Sequence, residues 1–230
     1  FYASLLLCLT GLLGIAITGD LLKVFVFLEI SSLSAYTLIS LGRERRALTA
    51  ACTYLGLGTI GASFILIGTV LVYQMTGTLN IADLADRLRA VDAPVNQTRT
   101  IQVAFAFLTV GLSLKLAVFP LHAWLPNAYS FAPSLVSAFL AATSTKVAYY
   151  LLLRTLFTIF GVVFVFDEMN LSHILMPLAL MAIFVGSAVA IYQTDLSRLL
   201  AYSSVEQIGN IVVGMTVGHI DAMTGSILHM

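Results

Sequence analysis

Long apolar runs separated by short polar breaks dominate this chain, and the runs are too long and too uniform to be the one-sided stripes of water-soluble helices. Phe1 to Gly19 is the first run, closed by Asp20. Leu21 to Leu41 is the second; it holds Glu29 near its middle and leads into the basic turn Arg43-Glu44-Arg45-Arg46. Ala47 to Met75 forms the third. Thr76 to Thr100 is the one long polar connection, and within it Ile81 to Val91 (IADLADRLRAV) has amphipathic spacing, which predicts a helix lying along an interface. Ile101 to Leu153 contains two apolar segments joined by a break rich in proline, the second running on past Arg154. Asp167-Glu168 marks the next loop, Leu171 to Tyr192 a sixth run, Leu199 to Val217 a seventh, and the stretch from Asp221 the start of an eighth. A helix rises ~1.5 Å per residue and a hydrocarbon core is ~30 Å thick, so each run of ~20 residues can cross it. The pattern predicts an all-α polytopic membrane protein, a bundle of about seven to eight transmembrane helices.

Composition agrees and narrows the class. Of 230 residues, 60% are hydrophobic and 10% charged, and the mean hydropathy is +1.00. Soluble domains carry about 25% charged residues, so a water-exposed surface cannot be assembled from this inventory. Net charge is zero and the charges are dispersed, which argues against nucleic acid as a partner. Cys8 and Cys52 lie in apolar stretches and read as free thiols. The chain opens inside one apolar run and stops as another begins, and it reads as a piece of a longer protein. Arg43, Arg45, Arg46 and Arg198 fall on one face; Lys23, Arg87, Arg89, Arg99 and Arg154 fall on the other. The tight Arg43–Arg46 cluster favours placing that turn in the cytoplasm.

Two lysines then change the picture from membrane protein to membrane protein with chemistry. Lys115 lies roughly 21 Å along the first segment of the central pair, and Lys146 roughly 18 Å along the second, counted from Ser134. Both depths fall near the middle of a bilayer, where a lysine costs ~2.5–3.5 kcal/mol on the gentlest scale and marks a functional position by default. Lys23 can snorkel to the nearer surface. Glu29 is the one carboxylate in the middle of an apolar span, and it sits beside Ser31, Ser32 and Ser34, whose hydroxyls can hold water. Burial disfavours an ammonium and a neighbouring carboxylate favours it, so a carboxylate that approaches or withdraws sets whether a lysine keeps its proton. The competing reading of Glu29 and Lys115 is a purely structural buried ion pair.

Pro120, Pro126 and Pro133 crowd one window. Proline removes a donor and clashes with the preceding turn, and in lipid a broken helix survives only where protein or a watery cavity satisfies its carbonyls. For Pro120, close to Lys115, the expectation is a functional break of the kind that forms ion sites in transporters. For Pro126 and Pro133 the expectation is an ordinary loop. His122 shares a face with Lys115 if the helix is continuous; it either relays protons or is hydrogen-bonded at a helix end. Ser144, beside Lys146, and Glu206, in the seventh run, are further pathway polars. Gly56-Leu57-Gly58-Thr59-Ile60-Gly61 matches a dinucleotide fingerprint but lacks the strand and βαβ unit it requires; close helix packing explains it better. Asn96-Gln97-Thr98 matches a glycosylation sequon that has meaning only in a eukaryotic lumen.

The string FVFLEISSLSAYTLI around Glu29 resembles the fifth-helix signature of antiporter-like proton-translocating membrane subunits. LKLAVFPLHAWLPNAYSFAPSLVSAFLAATSTKVAYYLLLR, around Lys115 and Lys146, resembles the same family, as does QTDLSRLLAYSSVEQIGNIVVG from Gln193 to Gly214. That family includes the large pump subunits of respiratory complex I, subunits of membrane-bound hydrogenases and subunits of multisubunit cation/proton antiporters. TGDLLKVFVFLE and TGTLNIADLADRL look most like the D-type antiporter subunit. The resemblance implies two inverted five-helix repeats, the first over residues 1–157 with its interfacial segment at 76–100, and the truncated start of the second over 158–230. It further implies that Glu29 is the modulating carboxylate, Lys115 the pumping lysine beside the break and Lys146 the bridging lysine. Implied partners are the lipid bilayer, other membrane subunits of an antiporter or respiratory complex, and protons, with sodium a candidate. The implied location is a bacterial or archaeal cell membrane. No cofactor is expected of this chain, and any enzyme class belongs to the assembly around it, a proton-translocating NADH:quinone oxidoreductase being one such assembly. The reading of another class is a structural helical scaffold whose lysines pin helices together.

Overall fold

The computed structural model describes residues 1–89 and 98–230. Val91, Pro94 and the Asn96-Gln97 part of the sequon lie outside the described residues. The helices are α1 (Tyr2–Ile17), α2 (Leu21–Ser40), α3 (Arg45–Thr76), α4 (Ile81–Arg89), α5 (Arg99–Leu116), α6 (Leu125–Phe131), α7 (Ser134–Leu153), α8 (Leu171–Ile191), α9 (Leu196–Thr216) and α10 (Ile220–His229). Two π-helical segments, Arg154–Phe160 and Phe164–Glu168, follow α7. No strand occurs among the described residues; one isolated bridge joins Asp20 and Asn80.

Among the described residues, five helices are long and apolar enough to cross a membrane: α2, α3, α5, the 27-residue helix formed by α7 and its π-helical continuation to Phe160, and α8. The apolar α1 has 16 residues, and α9 has the length but carries Arg198, Glu206, Gln207 and Asn210. Large side chains such as Leu13, Ile17, Phe184 and Ile191 point outward. So much exposed apolar surface marks contact with lipid or a partner.

The chain forms two compact units. The first comprises Phe1–Ala35, Leu55–Lys115 and Val147–Met169; the second comprises Tyr36–Tyr54, Leu116–Lys146 and Asn170–Met230. In the first unit, α3 and α5 approach closely because glycines face each other. A Cβ on Gly61 would stand 3.2 Å from Gly111 O, and one on Gly111 would stand 2.7 Å from Gly61 O. Of the Gly56–Gly61 pattern, Gly61 is the glycine that packs helix against helix, as small residues in membrane helices commonly do, while a Cβ on Gly56 would meet nothing within 4 Å. The amphipathic α4 buries Ile81, Leu84, Ala85 and Leu88 and packs on the π-helical Arg154–Phe160.

Arginines satisfy the carbonyls that helix ends leave open. Arg87 Nη1 donates to Thr76 O at the end of α3 (2.7 Å), and Arg154 Nη1 donates to Thr18 O beyond α1 (2.6 Å). Arg89 Nη2 donates to Phe157 O and Thr158 O at 3.0 and 2.8 Å. A cation at a helix C-terminus also meets the negative end of its dipole.

In the second unit α8 packs along α9, and α6 and α10 also pack on α9. Tyr54, Trp124 and Tyr129 form an edge-on aromatic cluster, with centroid separations of 5.2 and 6.4 Å. The proline window resolves into separate roles. Pro126 sits in the first turn of α6, where its missing N–H costs nothing, rather than in the expected loop. Pro133 lies in the short link before α7, and Pro120 within the break after α5, where the Phe119–Pro120 peptide is cis.

Candidate functional site

Lys115 is the penultimate residue of α5, because the helix stops at Leu116 and Ala117 takes a left-handed φ of 64°. The turn 117–124 then leads to α6. The break expected near Pro120 is present, and it places the lysine at the carbonyl end of a helix rather than midway along one. That end of the helix dipole favours an ammonium by ~0.3–1 kcal/mol.

The side chain turns to α2 and α3. Lys115 Nζ donates to Ser32 Oγ at 2.6 Å, and Ser32 Oγ in turn donates to Leu28 O, four residues back, at 2.7 Å. The hydroxyl proton is therefore engaged with the backbone while its lone pair faces the ammonium. Ser31 and Ser34 also bond backward along α2, to Leu28 O and Ile30 O. Glu29 lies one turn before Ser32, and its charge acts on Lys115. No direct ion pair closes between them. Glu29 Oε1 is a buried oxygen with no hydrogen-bond partner among the described residues. On the α3 side the floor is Gly58, where an added Cβ would stand 3.5 Å from Lys115 Nζ. A carboxylate that neither pairs nor hydrogen-bonds costs free energy where it is buried.

Of the residues singled out from sequence, Glu29, Ser32 and Lys115 are thus brought together within the first unit. Lys146 lies twelve residues from Ser134 and fourteen from Phe160 on its 27-residue helix, and so at its centre. It is half-buried and makes no hydrogen bond or ion pair among the described residues, and the same holds for its neighbour Ser144. Because α5 ends at Leu116, the seven-residue spacing from Lys115 to His122 is not a helical one. His122 stacks on Phe119 (centroids 5.1 Å apart, planes 20°), and its Nδ1 is buried. Glu206 is half-buried on α9, its backbone passing close to Gly186 of α8.

Sequence reasoning missed that Gly58 borders the ammonium, where a Cβ would stand in ordinary contact with it; a glycine deep inside an apolar span was the available signal. It also missed Thr109 and Ser113, buried hydroxyls on α5 with no partner among the described residues, and the buried Tyr129. Thr109 and Ser113 stand at an i, i+4 spacing within an apolar helix, which was legible.

Fold and site together define a polytopic helical membrane protein that keeps an ammonium, a hydroxyl and an unpartnered carboxylate within its spans. The chain belongs to the NADH:quinone oxidoreductase/Mrp antiporter transmembrane family, whose profile matches residues 18–230. It is 48% identical over 234 residues to the NADH-quinone oxidoreductase subunit N of Desulforudis audaxviator, covering 100% of this chain and 44% of that protein. It is 31% identical over 230 residues to the D-type subunit of the Na(+)/H(+) antiporter of Alkalihalophilus pseudofirmus, covering 100% of this chain and 45% of that one. Among solved structures, the Mrp complex from Dietzia sp. DQ12-45-1b aligns with TM-score 0.84 at 28% identity, over 98% of this chain and 41% of that chain. Respiratory complex I from Thermus thermophilus aligns with TM-score 0.75 at 32% identity, over 96% of this chain and 46% of that chain. The chain thus spans less than half the length of these relatives. The greater identity to subunit N favours the respiratory branch of the family over the D-type antiporter branch to which the sequence strings pointed.

Proposed function

We propose that this chain is part of an antiporter-like, proton-translocating membrane subunit of an NADH-quinone oxidoreductase type of complex. The observation that carries the reading is the Lys115 ammonium held on Ser32 at 2.6 Å, with the half-buried Glu29 acting on it and its Oε1 unpartnered among the described residues. A lysine so placed can hold or release a proton as the carboxylate moves toward it or away. Protons enter a half-channel, load Lys115 through water and hydroxyls, and pass on to Lys146 when the hold of Glu29 loosens. Residues 1–157 form the first of two inverted repeats in this reading, and 158–230 the start of the second. The subunit sits in a cell membrane among other membrane subunits, and redox chemistry belongs to those neighbours.

Lys115→Met in the full-length subunit, within its assembled complex, tests this. Proton uptake into vesicles should fall at least tenfold while assembly is retained. Wild-type flux with intact assembly would favour the scaffold reading and overturn the proposal. The second reading, a D-type subunit of a sodium/proton antiporter, is supported by the 31% identity across the whole chain and the TM-score of 0.84 to the Mrp complex. Flux driven by a sodium gradient, without co-purifying flavin or iron–sulfur subunits, would select it.

A further inference from the structure

One end of the helices in the second unit gathers arginines that form no ion pair among the described residues. Arg43 follows α2, Arg45 and Arg46 open α3, and Arg198 lies in the first turn of α9. The ends are drawn together at Phe131. A Cβ on Gly42 would collide with Phe131 O, so only glycine lets the α2–α3 turn seat there. The guanidinium carbons of Arg46 and Arg198 stand 5.9 and 5.4 Å from the centroid of the Phe131 ring, and Arg198 Nη2 donates to Asn127 Oδ1 at 3.3 Å. None of the four arginines makes an ion pair among the described residues. Glu44 and Asp195 lie in the same turns, and neither closes on an arginine.

Two adjoining hollows open beside Phe131, the ring that Arg46 and Arg198 flank, and Arg43 lines one of them. The first, about 520 Å³, is walled by Arg43, Glu44, Phe131 and Pro133. It shares Ser130, Ala132 and Ser134 with a second of about 330 Å³. The second runs between α7 and α9 past Ala138, Ala141, Leu200 and Ala201. The walls therefore change from charged, at Arg43 and Glu44, to alanines and Leu200 among the hydroxyls of Ser137, Ser197 and Ser204, next to helices long enough to span a membrane. A small aqueous anion accounts for the arginines and leaves the cleft unexplained; a hydrocarbon accounts for the cleft and leaves the arginines unexplained. A molecule with an anionic head and a hydrocarbon tail matches both.

We propose that Arg43, Arg46 and Arg198 bind the phosphate of an anionic phospholipid whose acyl chain lies in the cleft between α7 and α9. Arginine near a membrane surface contributes ~1 kcal/mol toward an anionic lipid, about fivefold in affinity. Glu44 opposes part of this, so the arginines must act together.

The test uses the full-length subunit in its complex, in nanodiscs of phosphatidylglycerol or of phosphatidylcholine, with retained lipid counted by native mass spectrometry. Phosphatidylglycerol should be retained preferentially, and raising the salt concentration should weaken that retention. Arg43→Gln with Arg46→Gln should weaken it about 25-fold, whereas Arg43→Lys with Arg46→Lys should keep most of it. Leu200→Trp, which fills the cleft without touching an arginine, should also reduce it. Equal retention of the two lipids by the wild type would overturn the proposal, whatever the variants do. So would displacement of the bound lipid by millimolar inorganic phosphate, which would make the site one for the free anion.

Discussion

Gly58 offers the sharpest probe of the buried ammonium, because its effect is graded by the geometry. An alanine Cβ at this position would stand 3.5 Å from Lys115 Nζ, an ordinary van der Waals contact. Gly58→Ala should therefore assemble normally and carry protons within about twofold of wild type, since alanine also favours a helix interior by ~1 kcal/mol over glycine. Gly58→Leu sends further carbons into the volume the ammonium occupies. Lys115 must then leave Ser32 and forfeit the 2.6 Å hydrogen bond. A hydrogen bond to a charged group is worth ~1.5–3 kcal/mol, which corresponds to a loss of about 10- to 150-fold in the population of the competent arrangement. The assay is proton uptake by vesicles carrying the whole complex, followed with a pH-gradient dye, beside quinone reduction and subunit content. Wild-type flux in an assembled Gly58→Leu variant would refute the reasoning. So would an alanine variant as impaired as the leucine one, because the effect would then not follow the space.

Other outcomes follow from the same contacts. Ser32→Ala should reduce proton flux about tenfold while leaving the helix intact, because its bond to Leu28 O is local and dispensable; Ser32→Thr should retain most of the flux. Gly111→Val should destabilise the α3–α5 contact by ~1–3 kcal/mol, since even a Cβ would meet Gly61 O at 2.7 Å; a lowered thermal midpoint and poor assembly would show it. Arg154→Ala removes the donor to Thr18 O, a loss of ~1.5–3 kcal/mol, and should lower the same midpoint. Outside the spans, hydrogen bonds from Arg87 and Thr78 hold the Asp83 carboxyl below the usual carboxylate range. A depressed carboxylate supports α4 above its ordinary titration range and loses that support as the pH falls through the lowered value. Proteolytic nicking of α4 should therefore rise slightly on acidification, and Asp83→Asn should remove that pH dependence.

Much of this protein was legible before any coordinates. Lipid offers no partner to a backbone amide, so spans must be continuous apolar helices, and length and composition alone reveal them. The same cost makes Glu29, Lys115 and Lys146 conspicuous, because a charge survives in such a run only for a reason. What one sequence cannot show is how helices are rotated against one another. Periodicity says which residues share a face of α2, but not that Ser32 rather than Ser31 or Ser34 receives the ammonium. Nor does it say that Glu29 stays unpaired, or that Gly58 of α3 makes the floor. The point at which α5 stops was also undecided, because proline disfavours several preceding residues and the actual end is set by the left-handed turn at Ala117. The order of residues dictates the medium and the titratable groups, since both follow from the cost of polar atoms in hydrocarbon. Which of those groups meet is a matter of packing between segments far apart in the chain, and only the folded arrangement answers it.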